Sequence, residues 1–113
     1  MPDGFRRRAE RVDVAVARQA RKIVGSTQKE LSDLSSRVAR LRARQRFEEQ
    51  RYGRCDISSE AAELLRLTEQ LQAELVAGEE SVPEEVLASS HYQDVVRSMG
   101  ALRVVLEPLA FHR

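Results

Sequence analysis

Apolar positions along this chain return every three or four residues. In the first half the row is Val12, Val16, Ala20, Ile23, Thr27, Leu31, Leu34, Val38 and Leu41. In the middle it is Ile57, Ala61, Leu64, Thr68, Leu71 and Leu75, widened by Leu65, Leu67 and Val76. Near the end it is Ala88, Tyr92, Val95, Met99, Leu102, Leu106 and Leu109, which alternates steps of four and three without a miss. Spacing of this kind puts apolar side chains on one helix face. No stretch alternates with the period of two that a half-buried strand requires.

The helix breakers divide the pattern into segments. Pro2 and Gly4 precede the first row, Gly53 and Gly78 separate the rows, and Pro83 and Pro108 bracket the last. Three helices are therefore predicted, at about 5–52, 58–77 and 82–107. The first would be roughly 70 Å long if continuous. Two successive steps of four at Ile23, Thr27 and Leu31 form a stutter, placed on the weak helix formers Gly25-Ser26-Thr27, where reduced supercoiling or a mild bend is expected. Beyond Leu41 the row weakens as Gln45 and Glu48 take its positions, so the end of this helix should have less cover. Asp56-Ile57-Ser58-Ser59 supplies N-cap residue types to the second helix, with Glu60 and Glu63 in its first turn. Gly78 is a natural C′ residue at its end. Ser81 and Glu84 have capping-box spacing at the start of the third helix.

Short connections between amphipathic helices favour antiparallel neighbours. The expected fold is all-α: one domain over residues 1–113, an elongated antiparallel three-helix bundle with coiled-coil-like packing. The same rows would also serve an intermolecular seam. The short connections favour a monomer and leave a homodimer open.

Composition narrows the function classes. The chain has 113 residues, and a third of them are charged, so any core is thin. No apolar run approaches the ~20 residues that span a bilayer, and no apolar stretch of signal-peptide type follows Arg6–Arg8. Cys55 is the only cysteine, which removes any internal disulfide framework or thiolate cluster and fits a reducing intracellular compartment. The formal charge of +1 conceals a division. Residues 1–54 carry 15 Arg and Lys against 7 Asp and Glu, whereas residues 55–113 carry 4 against 11. The first helix placed beside the other two would allow these halves to neutralise each other along their flanks.

Candidate chemistry is sparse. The run Arg37, Arg40, Arg42, Arg44, Arg46 is the nucleic-acid candidate. Arg37, Arg40 and Arg44 share a face, but Arg42 and Arg46 fall about 160–200° around the helix from Arg44. No aromatic residues interleave for base stacking. These features disfavour nucleic acid and favour a solvated helix that pairs with an acidic partner helix. Glu48-Glu49, Glu79-Glu80 and Glu84-Glu85 are adjacent pairs whose side chains diverge by about 100° on a helix, so none forms a carboxylate dyad by itself. Cys55 has no neighbouring histidine, and His91 beside Tyr92 lies on an ordinary helical flank. No catalytic constellation emerges, so a non-enzymatic protein without cofactor or metal is expected.

The stretch Glu10 to Lys22, continued by Gln28-Lys29-Glu30 and by Arg37 to Ala43, is similar to the first helix of the tubulin-binding cofactor A family, also called tubulin-specific chaperone A. Val12 and Val16 fall on apolar positions of that family's opening motif, Arg18 and Lys22 on basic ones, and Lys29-Glu30 on its Lys-Glu pair. Arg37, Val38, Arg40, Leu41, Arg42 and Ala43 follow its basic-apolar ending, and Tyr92-Gln93-Asp94 with Ala101 to Leu106 resembles its last helix. Asp13-Val14-Ala15 stands where the family has Lys-Thr-Gly, and the middle helix lacks the family's mid-helix proline. The resemblance implies a cytoplasmic, cytoskeleton-associated chaperone. It would capture quasi-native β-tubulin for αβ-heterodimer assembly alongside other tubulin-folding cofactors, without covalent chemistry. It also implies partner contacts at Arg18, Lys22, Lys29, Glu30, Arg37 and Arg40. The alternatives are an Arg-rich coiled-coil dimer associated with nucleic acid, and a structural subunit of a larger assembly.

Overall fold

A computed structural model describes the backbone of residues 3–111 and the side chains of residues 14–111. Helix α1 spans Asp3–Tyr52 and α2 spans Ser58–Ala77. A 3-10 turn at Glu79–Ser81 leads to the one-turn helix α3, Glu84–Leu87, and then to α4, Ser90–Ala110. The chain is all-helical, with no strand among the described residues, and its four helices pack against one another. The molecule measures 69 × 27 × 18 Å, with α1 as its longest element.

The directions of the helices follow from their contacts. Arg44 reaches Glu60, while Leu34 and Leu71 line one groove further along, so α1 and α2 run antiparallel. Tyr92 bonds to Glu79 and Arg103 to Gln72, so α4 returns antiparallel to α2. It therefore runs in the direction of α1, and it touches both neighbours more extensively than they touch each other.

The apolar rows form the core. Ala20, Leu31, Leu34, Val38 and Leu41 of α1 are buried with Ile57, Ala61, Leu64, Leu71, Tyr92, Val95, Met99 and Leu106. Most of the stability of such helices comes from this shared face rather than from intrinsic propensity. The polar member of the middle row, Thr68, is also buried, and its hydroxyl donates to the Leu64 carbonyl at 2.8 Å, so no donor is left unpaired. α1 stays helical through Gly25-Ser26-Thr27. At the stutter, two adjacent residues share the seam: Val24 is buried and Ile23 is half-buried against the core. Buried positions of α1 run from Ala20 to Leu41. Val14 is exposed before this stretch, and Phe47 and Tyr52 are exposed after it. Val12 lies outside the residues whose side chains are described.

Three local expectations are corrected. The predicted third helix over 82–107 is two helices, because the Ser89 hydroxyl accepts the Tyr92 amide at 3.4 Å and starts α4 afresh. The same hydroxyl donates to the Val86 carbonyl at 2.6 Å and so ties the end of α3 to the start of α4. Ala88 therefore lies in the turn and is exposed, while Val86 is fully buried. Ser81 forms no capping box with Glu84, since it belongs to the 3-10 turn and Pro83 precedes α3 without a side-chain cap. The left-handed terminator is Gly53, with φ +77°, which closes α1 as its amide donates to the Glu49 carbonyl at 2.8 Å. Gly78 keeps a right-handed φ of −83°. At the far end α4 continues through Pro108 to Ala110. That exposed proline has no amide to donate, so it leaves the Val104 carbonyl without its helical partner.

Candidate functional site

The candidate residues lie on one long helix, and helical geometry decides which of them share a side. At 100° per residue, Arg18, Lys22, Lys29 and Arg40 fall within about 40° of one another. Arg37 and Glu30 sit roughly 60–80° further round, toward α2. All six are exposed, and none forms an ion pair. Core residues on the opposite side of α1, such as Leu34 and Val38, hold this side outward.

Two open grooves follow one another between α1 and α2. The first, about 620 Å³, is lined by Ser26, Lys29, Glu30, Asp33 and Leu34 of α1 and by Leu67, Gln70, Leu71 and Glu74 of α2. The second, about 650 Å³, is lined by Arg37, Arg40, Leu41 and Arg44 opposite Ser59, Glu60, Glu63 and Leu64. Four of the six candidates are thus brought to one continuous surface, while Arg18 and Lys22 line neither groove. Sequence reasoning missed the α2 wall and Asp33. The step of four from Lys29 to Asp33 put Asp33 on the same face and was a usable signal. The α2 wall had none, because spacing does not specify which side of α2 meets α1. Arg42 and Arg46 line neither groove, as their angular offset implied.

Electrostatics distinguish paired from free charges. Arg44 donates to Glu60 at 2.9 Å and lies 3.8 Å from Glu48. That hydrogen bond holds the Glu60 carboxyl below the usual range and raises the Arg44 guanidinium. Glu63 is likewise lowered, chiefly by its hydrogen bond from Arg66 and further by the charges of Arg66 and Arg37. Among the described residues Arg44–Glu60 is the one ion pair between the basic and acidic halves; the others lie within a single half. The expected neutralisation along the flanks is therefore corrected. α2 meets α1 mainly through leucines, and among the described residues the other basic side chains of α1 form no ion pair with α2.

Two other polar groups are held in place. The Cys55 thiol donates to Glu48 Oε2 at 2.9 Å, and this bond, with desolvation and the carboxylate charge, pushes it up to about 11. The buried Tyr92 hydroxyl donates to Glu79 Oε1 at 3.1 Å, and burial first, then that bond, raises it to about 12. Both groups stay protonated at neutral pH. Among the described residues no three His, Cys, Asp or Glu side chains are grouped to hold a metal ion. No helix among them is long and apolar enough to cross a membrane. What this surface offers is recognition by charge and shape along a helical groove. Comparison with protein-family models, curated proteins and solved structures finds no match to this chain.

Proposed function

We propose that this chain is a protein-binding module whose working surface is the α2-facing side of α1, and that its partner is quasi-native β-tubulin. The observation that carries the binding reading is the set of exposed, unpaired Arg18, Lys22, Lys29, Arg37 and Arg40 on one side of a helix whose other side is buried. Glu60 and Glu63 of α2 face Arg37 and Arg40 across the second groove, yet each pairs with another arginine. The tubulin assignment rests on the residue resemblance of α1, and tubulin's acidic character suits a basic helix through electrostatic steering. In this reading the chain works in the cytoplasm as an elongated antiparallel three-helix bundle with coiled-coil-like packing, monomeric and without cofactor. It holds β-tubulin for heterodimer assembly with other folding cofactors.

Co-elution tests the assignment. The chain is mixed with β-tubulin released from the chaperonin, with α-tubulin and an unrelated acidic protein as controls. A complex with β-tubulin alone is the expected result. Retention of none of them, or of all three equally, overturns it.

A further inference from the structure

The unpaired charges along the α1–α2 grooves are sorted by position. At one end Arg37 and Arg40 form no ion pair, Arg37 acting on Glu63 through its charge alone, whereas Arg44 and Glu60 are paired with each other and Glu63 with Arg66. At the other end Glu30, Asp33 and Glu74 are free against the single cation Lys29. From Ser26 to Arg44 the combined groove is about 27 Å long, the length of a helix of five turns. Helix α4 packs against both α1 and α2, and no described element fills these grooves on their open side.

We propose that this groove takes an amphipathic helix of a partner protein, acidic in the half that lies over Arg37 and Arg40 and basic in the half that lies over Glu30, Asp33 and Glu74. The chemistry selects this occupant. A nucleic acid would carry phosphates over both ends and be repelled at the carboxylate end. A second copy lacks the pattern: α1 intersperses Glu30, Asp33, Glu48 and Glu49 among its basic residues, α2 is acidic, and α4 is acidic at both ends, at Asp94 and Glu107, around Arg97 and Arg103. A helix with an acidic first half and a basic second half also complements its own macrodipole, so it arrives pre-formed. Leu67, partly exposed in the groove, and the aliphatic stems of Lys29, Arg37 and Arg40 supply the apolar contact. Charge leads this docking, so its strength falls with salt.

The inference rests on the reading of the chain as a binding module, but its test needs no tubulin. The probe is a synthetic helical peptide of about 18 residues with leucines on one face, glutamates in its first half and lysines in its second. Two comparison peptides carry only glutamates or only lysines. Fluorescence anisotropy with the full chain should show the mixed peptide binding at least about tenfold tighter than either comparison, a difference of roughly 1.4 kcal/mol. The double variant Arg37→Glu, Arg40→Glu should shift preference to the all-lysine peptide. The variant Asp33→Lys, Glu74→Lys, altered at the other end, should shift it to the all-glutamate peptide. All four positions are exposed, and circular dichroism with a thermal melt confirms that each variant is folded. The idea fails if no peptide binds, if the three bind alike, or if folded variants keep the original ranking. It also fails if sedimentation shows a dimer that the same substitutions dissolve, because the occupant is then a second copy. Loss of tubulin binding with this ranking intact would overturn the partner alone.

Discussion

Arg44 Nη2 lies 2.9 Å from Glu60 Oε1, and this contact joins the start of α2 to α1 about two and a half turns before the Gly53 reversal. Cys55 and Glu48 are tied beside it, so a small polar cluster flanks the reversal next to the buried Ile57. The cluster sets how the chain turns back, while the leucine rows hold it there.

Acid should weaken the fold modestly. Glu60 and Glu63 both titrate below the ordinary carboxylate range in the folded chain, so the unfolded chain binds their protons first as pH falls. Their contribution is present above the unfolded value of about 4.3 and is lost as pH drops through the lower folded values. Denaturant midpoints measured at neutral pH and near pH 3 should show a decline. In Glu60→Gln, Glu63→Gln the decline should be shallower. Because these pairs are exposed, the difference is small and shrinks in high salt.

Alkali acts through Tyr92. Its phenol, raised to about 12, keeps its proton in the folded chain after the unfolded chain has lost it near 10. Stability from this group is therefore complete below about pH 10 and lost as pH rises toward 12. Tyr92→Phe should remove that dependence and, by losing the bond to Glu79, cost about 0.5–1.5 kcal/mol at neutral pH. Chemical denaturation of the two proteins across alkaline pH makes the comparison. A Tyr92→Phe chain that still weakens over the same window would show that other groups are responsible.

Cys55 should react slowly despite being only half-buried. A thiol at about 11 carries roughly a hundredfold less thiolate at neutral pH than an ordinary one. Glu48→Gln removes the charged acceptor and should accelerate alkylation by iodoacetamide by an order of magnitude. Equal rates in the two proteins would mean that access, rather than the carboxylate, controls the thiol.

Core truncation should separate buried from exposed apolar residues on the same helix. Met99 and Leu106 are 0% exposed, whereas Val104 is 71% exposed. Met99→Ala and Leu106→Ala should each cost about 2–5 kcal/mol by lost burial and cavity formation. Val104→Ala should stay within about 0.5 kcal/mol. Urea titrations of the three variants decide this.

The sequence by itself determined the helices and most of their inner faces. Steps of three and four select one side of a helix whatever lies opposite, so Leu31, Leu34, Leu64, Tyr92 and Met99 are buried as their spacing required. Tertiary structure decided what depends on the neighbour. The break at Ser89 arises because that hydroxyl caps α4 and ties it to α3, which buries Val86 in place of Ala88. Gly78 ends α2 as its place in the sequence indicated, but the left-handed turn is at Gly53, while Gly78 keeps a right-handed backbone and leads into a 3-10 turn. The opposed charges of the two halves were plain in the sequence, but their pairing was not. Ion pairs need contact within a few ångströms, and among the described residues only Arg44 and Glu60 are brought that close across the two halves.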